Sequence, residues 1–272
     1  MKTKEEEKQI SKHYQELKAH VKGFLKSAEQ EELHQFRVQF KKMRALLTLL
    51  QSGDKHPKLL KQVKPIQKMF KKAGVIRGAY VNLQLSHQYG FRKPEFEDKQ
   101  QQIILSGANR FYCKGPKQLE QLKRTRKKLM NSLHRLPAKT VQNFYQDMLN
   151  EAADFLQSPV FDERLHDCRK KIKLLMYNQK VADSALADKL TLNKDYLNQL
   201  QDTIGKWHDV VLALELFHTD ELKHEPVPRQ LKAQKDELQK SIVSLAENFR
   251  QKAVLEQASA EKKKPAKNKA VQ

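Results

Sequence analysis

Apolar residues recur three or four positions apart along most of the chain, the spacing that gives a helix one core-facing side. The pattern marks eight helical stretches, at residues 10–27, 31–51, 58–86, 97–134, 141–157, 161–182, 188–218 and 229–257. Between them lie helix breakers: Ser52-Gly53-Asp54, Lys93-Pro94, Leu136-Pro137, Ser158-Pro159 and Glu225-Pro226-Val227-Pro228. The fourth stretch is expected to break near Gly107 or at Gly115-Pro116, since proline inside a helix removes a hydrogen bond and clashes with the preceding turn. Eight glycines, nine prolines and no β-branched runs leave nothing that asks for a strand, so the expected fold is all-α.

The pattern also repeats. Leu33-His34-Gln35-Phe36-Arg37 returns as Leu165-His166-Asp167-Cys168-Arg169, and Lys41 matches Lys173, all at a lag of 132 residues. Ala73-Gly74-Val75-Ile76-Arg77 lies opposite Ile204-Gly205-Lys206-Trp207-His208 at a lag of 131. Shifting the first four stretches by this lag lands on the last four, which divides the chain into four-helix halves, 1–137 and 138–257. Residues 258–272 are polar and basic without apolar period and are expected to form a disordered tail.

Charge changes the picture most. The chain carries 53 Lys and Arg against 32 Asp and Glu, a formal net charge of +21, more than solubility asks for, and a polyanionic partner follows. Such an excess repels itself in the free protein, so a bound anion should raise thermal stability. Cys113 and Cys168 stand far apart with no second pair at metal-ligand spacing, which argues against a disulfide framework or a zinc site and fits a reducing, cytoplasmic compartment. The first residues lack the apolar run of a signal peptide, and no stretch has the roughly 18 apolar residues needed to span a bilayer, so no membrane association is expected.

On a helix, His34, Arg37, Lys41 and Arg44 fall within roughly 80° of one another, beside an apolar arc of Leu33, Phe36, Phe40, Met43 and Leu47. Lys42 adjoins the cationic arc. His166, Arg169, Lys173 and Lys180 repeat the arrangement in the second half, with Lys170 at the border. Neither stripe contains the acidic neighbours at four-residue spacing that solvated helices use to offset like charge, and the missing counter-charge points to an anion. A third cationic run, Lys123 to Lys128, circles its helix and contributes Arg124 and Lys127 as further candidates. It has no interleaved aromatics of the kind that stack single-stranded bases.

Metal binding is the rival for the histidines. His208 in the second half corresponds to Arg77 in the first, and arginine contacts phosphate but does not ligate metals, so anion contact explains both residue types and neither metal nor cofactor is expected. Trp207 reads as core. No glycine-rich phosphate loop, G-x-S-x-G, H-E-x-x-H or paired carboxylates appear, so no catalytic residue is assigned; Asp209 is read as orienting His208.

The run His34-Gln35-Phe36-Arg37-Val38-Gln39-Phe40-Lys41-Lys42-Met43-Arg44 closely resembles the first signature of the CHAD family, the conserved histidine α-helical domain. Leu165 to Lys173 with Tyr177, and Leu200 to Asp209, resemble its second, so the likeness covers roughly residues 10–255. The resemblance implies two four-helix bundles related by internal pseudo-twofold symmetry, with a basic central groove or pore. It also implies binding of inorganic polyphosphate without turnover and association with polyphosphate granules. Some members carry an added triphosphatase domain, whose motif Glu5-Glu6-Glu7-Lys8 does not supply. The family pattern has Arg-Asp where Arg77-Gly78 stands and further basic character near Leu174 and Met176, which makes the second half the weaker expected site.

The expected mechanism is multivalent charge neutralisation with steep salt dependence. A nucleic-acid-binding helical protein is the leading alternative. A metal-dependent (tri)phosphate hydrolase and an adaptor for an acidic protein are further ones.

Overall fold

The computed structural model describes residues 3–53, 58–186 and 190–255. They form eleven helices: α1 (Thr3–Ser27), α2 (Gln30–Gln51), α3 (Leu59–Gln62), α4 (Lys64–Gln88), α5 (Pro94–Cys113), α6 (Gly115–Met130), α7 (Ala138–Leu156), α8 (Glu163–Leu186), α9 (Lys194–Leu216), α10 (Arg229–Ala246) and α11 (Phe249–Ala253). The only β-type pairing among the described residues is an isolated bridge between Leu192 and Val254. The fold is all-α, and none of the described helices is long and apolar enough to cross a membrane.

Most boundaries follow the breakers. The fourth stretch divides at Lys114, with Pro116 in the first turn of α6, where a missing N–H costs nothing. Gly107 instead stays inside α5 and lets it approach α4: a Cβ there would lie 2.6 Å from Ile76 Cγ1. Pro65, which the apolar pattern passed over, divides the third stretch into α3 and α4. The last stretch divides at Asn248, whose φ of 54° is a left-handed conformation that Asn tolerates. α9 begins only at Lys194, capped by the Asn193 side chain on the Tyr196 N–H at 3.2 Å. Residues 187–189 and 256–272, with the expected tail, lie outside the described residues.

Neighbour packing follows a similar order before and after residue 137, with α6 packing in addition on α1 and α4. α1 packs on α2, α2 on α4 and α4 on α5; then α7 packs on α8, α8 on α9 and α9 on α10. α2 also packs directly on α8, which places the two His/Arg/Lys-bearing helices against each other. There the Asn178 side chain, fully buried on α8, donates to the Ala45 carbonyl of α2 at 2.8 Å. The main apolar core runs without interruption through residues of both halves, from Ile10, Phe36 and Phe40 to Leu165, Ile172, Leu200 and Trp207. Burying each large side chain contributes roughly 1.5–3 kcal/mol, so this shared core holds α2 and α8 firmly together.

Candidate anion-binding site

His34, Arg37 and Lys41 line one side of α2 because Leu33, Phe36, Phe40 and Met43 on the adjoining side are fully buried in the core. On α8, the burial of Leu165, Cys168, Ile172 and Leu175 fixes His166, Arg169 and Lys173 in the same way. Since α2 and α8 pack together, the two stripes converge, and they meet at Lys41. Its side chain is open to water along its own surface yet stands among atoms of both halves. Loss of hydration, then the like charges of Arg37, Lys173 and Arg169, push its ammonium down to about 8. Lys173, also lowered by burial and by Arg169, adds Lys42 to the group.

The two arginines are held by the same device. Arg37 Nη1 donates to the Phe70 carbonyl of α4 at 2.9 Å, and its guanidinium lies 4.1 Å from the Phe70 ring centroid. Arg169 Nε donates to the Gln201 carbonyl of α9 at 2.7 Å. Four residues after each carbonyl stands a glycine. A Cβ on Gly74 would lie 2.3 Å from Arg37 Nη1, and one on Gly205 would lie 2.4 Å from Arg169 Nη2 and 2.8 Å from its Cζ. Only glycine gives the guanidinium this passage over the helix backbone. Each arginine thus spends one donor on the neighbouring helix and keeps the rest of its five for a ligand.

His34 and His166 are both held below the ordinary imidazole range. Burial lowers the pKa of His34, with Arg77, Lys41 and Arg37 adding to the effect against Glu31. His166 stacks on His208 with ring centroids 4.0 Å apart, and burial, followed by the His208 charge, takes it down to about 4. Its Nδ1 is buried without a protein partner. Asp209 is raised by burial, although Arg169, His208 and Lys41 all oppose this. No hydrogen bond joins Asp209 to His208 among the described residues, so the expected orienting contact is not formed there.

Arg77 joins the first-half group, close enough to lower the pKa of Arg37 and His34 and 4.9 Å from the Tyr80 ring. Arg44 and Lys180 are exposed and make no ion pair among the described residues. Lys170 departs from the uncompensated stripe: its ammonium reaches Asp167 at 2.8 Å and Glu163 at 3.3 Å, and these bonds outweigh burial and raise its pKa. Arg124 and Lys127 lie apart from the cluster. They line a groove of about 980 Å³ between α1 and α6, where Arg124 pairs with Glu120 at 2.9 Å. Cys168 faces the core, and burial raises its thiol to about 12. No three His, Cys, Asp or Glu side chains among the described residues are placed to hold a metal ion.

The part played by Gly74 and Gly205 is not legible in local sequence. Their repetition at a lag of 131 was visible, but the arginines they accommodate come from other helices, and only the packed structure pairs them.

Comparison with known proteins agrees with this architecture. The sequence model described as "CHAD domain" matches residues 8–218. Among solved structures, the chain is similar to the CHAD domain from the plant Ricinus communis, with a TM-score of 0.61 and 15% identity over 90% of this chain and 91% of that one. No curated protein matches the sequence.

Proposed function

The chain belongs to the CHAD domain family, and from that premise we propose that it binds inorganic polyphosphate, without hydrolysing it, in a groove lined by α2 and α8 with their partners α4 and α9. Residues 1–137 and 138–257 act as two related halves, each supplying one wall. His34, Arg37, Lys41 and Arg77 face His166, Arg169, Lys173 and His208 across the groove. Recruitment to polyphosphate granules follows from binding of this kind.

The observation that carries this reading is Lys41, whose charge is disfavoured by cations from both halves at once. Such a cluster is held together by the core at an electrostatic cost, and a polyanion lying along it removes that cost. Arginines contact phosphate oxygens in pairs and lysines as point charges, while protonation of the depressed imidazoles of His34 and His166 becomes more favourable on contact. A chain long enough to touch both walls gains from effective concentration over a short one.

The test is displacement of labelled medium-chain polyphosphate by unlabelled polyphosphate, duplex DNA and RNA at matched phosphate concentration. Polyphosphate is expected to compete best; equal competition by nucleic acid sinks the assignment. Phosphate release in magnesium or manganese, expected to stay at background, checks that binding is not turnover.

A further inference from the structure

We infer that the groove between α1 and α6 docks an acidic amphipathic helix of a partner protein. α6 is held against α1 at two points: a Cβ on Gly115 would lie 2.7 Å from Leu25 Cδ1, and Arg126 Nη2 donates to Ser11 Oγ at 3.3 Å. Along this pair runs the groove of about 980 Å³, as large as the largest ordinary small-molecule pockets. Its wall on α6 extends from Pro116 to Met130, which at 1.5 Å per residue is about 21 Å, the length of a helix of roughly fourteen residues.

The groove has an apolar seam and a cationic rim. Leu119 and Met130 are half-buried, packed on the core from one side and lining the groove from the other, while Gln118, Thr125 and Leu129 face inward and are buried. Lys18 on α1 and Lys123, Arg124, Arg126 and Lys127 on α6 are exposed along it. Among the described residues Glu120 is the one acid in the lining, and it pairs with Arg124; the other four cations form no ion pair. Tyr14, 3% exposed, adds a buried hydroxyl without a protein partner to the α1 wall. Burial pushes its ionisation up, so the O–H keeps its proton and is a donor that a carboxylate accepts.

A seam of this kind selects the complementary surface: apolar residues at three- and four-residue spacing, with carboxylates on either side. A phosphate polymer or a nucleic-acid backbone meets the rim but offers nothing to Leu119 and Met130, and no exposed aromatic ring lines the groove to stack a base. The unbranched thioether of Met130 adapts to apolar side chains of different shape. The chain's own residues 256–272 carry five Lys against two Glu with no apolar period, so like charge turns them away. The rim steers an acidic helix toward the groove, and association should slow as salt is added. The inference does not rest on the function proposed for the α2–α8 groove.

Fluorescence anisotropy of the full chain tests it, with a labelled synthetic helix of about sixteen residues, leucine at every third or fourth position and glutamate elsewhere. A control peptide has the same composition in an order that leaves no apolar side. The ordered peptide is expected to bind at least about tenfold more tightly than the control. Lys123→Glu/Lys127→Glu should weaken it by at least about tenfold more than Lys232→Glu/Lys240→Glu on α10, which changes the net charge equally. Lys41→Gln/Lys173→Gln, in the α2–α8 groove, should act no more strongly than the α10 pair. Equal binding of the control peptide shows a surface that takes any polyanion and overturns the inference, as does equal weakening by the two charge-reversed pairs. Loss of the peptide in Lys41→Gln/Lys173→Gln places it in the other groove and overturns it too.

Discussion

Arg169 crosses the α9 backbone at Gly205 so closely that a Cβ there would sit 2.4 Å from Nη2 and within 3.0 Å of Nε. The whole guanidinium, not only its tip, occupies the space a side chain needs. Glycine in a helix interior costs about 1 kcal/mol relative to alanine, so its presence at this packed position is explained by the arginine. Gly205→Ala is therefore expected to melt lower despite its better helix propensity. The lost bond to the Gln201 carbonyl, about 1.5–3 kcal/mol for a charged donor, exceeds the propensity gain. Gly74→Ala meets only the tip of Arg37 at 2.3 Å, with Cζ at 3.2 Å, and should cost less. Thermal melts and polyphosphate titrations of both variants check the ranking.

The depressed pKa of Lys41 sets a pH dependence for binding. A bound polyanion raises that pKa, so binding takes up a proton in the interval between the free and bound values. Affinity is highest below about 8 and falls as pH rises through it. Lys41→Arg, charged throughout, should flatten the profile between pH 7 and 9. A titration series across that range reads the difference directly.

His166 gives the free protein a second, opposite signature. Its folded pKa of about 4 lies below the ordinary 6.5, so between these values the unfolded chain holds a proton that the folded one refuses. The resulting stability is present above pH 6.5 and is lost as pH falls toward 4. His166→Gln should remove that component of the melting-temperature profile, and polyphosphate should shrink it in the unsubstituted protein by stabilising the imidazolium.

Salt dependence counts contacts. For a flexible polyanion, each neutralised phosphate contributes about 0.7 to the slope of log K against log salt, so Lys173→Ala should lower the slope by roughly that amount. Lys170→Ala should change it less, because Asp167 and Glu163 already offset that charge. Equal slopes for the two variants contradict the placement of Lys173 in the site.

The buried amide joining the halves has its own test. Asn178→Ala loses the bond to the Ala45 carbonyl and leaves a cavity, and should cost about 2 kcal/mol in chemical denaturation. Asn178→Leu fills the space and also removes the buried, unpartnered Oδ1, and should cost less.

Much of this molecule is legible in its sequence because helices announce themselves through local spacing. The core side of α2 follows from Leu33, Phe36, Phe40 and Met43 alone, and the repeat transfers that reading to α8. The ends were harder. The first turns of α1, with Glu5, Glu6 and Glu7, carry no apolar period, yet Glu6 is buried, so the pattern began the helix at 10 rather than at Thr3. For the site, the stripes were readable but their convergence was not, since packing of α2 on α8 is a long-range fact. Lys170 has Asp167 three residues before it on the same helix, and Lys173 has Arg169 four before it, so their different surroundings follow from local spacing; the second acid on Lys170, Glu163, and the approach of Lys42 to Lys173 depend on the structure. Arg124 and Lys127 look like their neighbours in a basic run, and their position on the α1–α6 groove depends on where α6 docks.

The most direct measurement compares two variants of equal charge loss in polyphosphate titrations: Lys41→Gln/Lys173→Gln, from opposite walls of the groove, and Lys232→Gln/Lys240→Gln on the exposed side of α10. The groove pair is expected to weaken binding by at least about tenfold, the loss of roughly 1.4 kcal/mol, while the α10 pair changes it little. Equal weakening by the two pairs would show that net charge alone holds the polymer, and would contradict a shared site between α2 and α8.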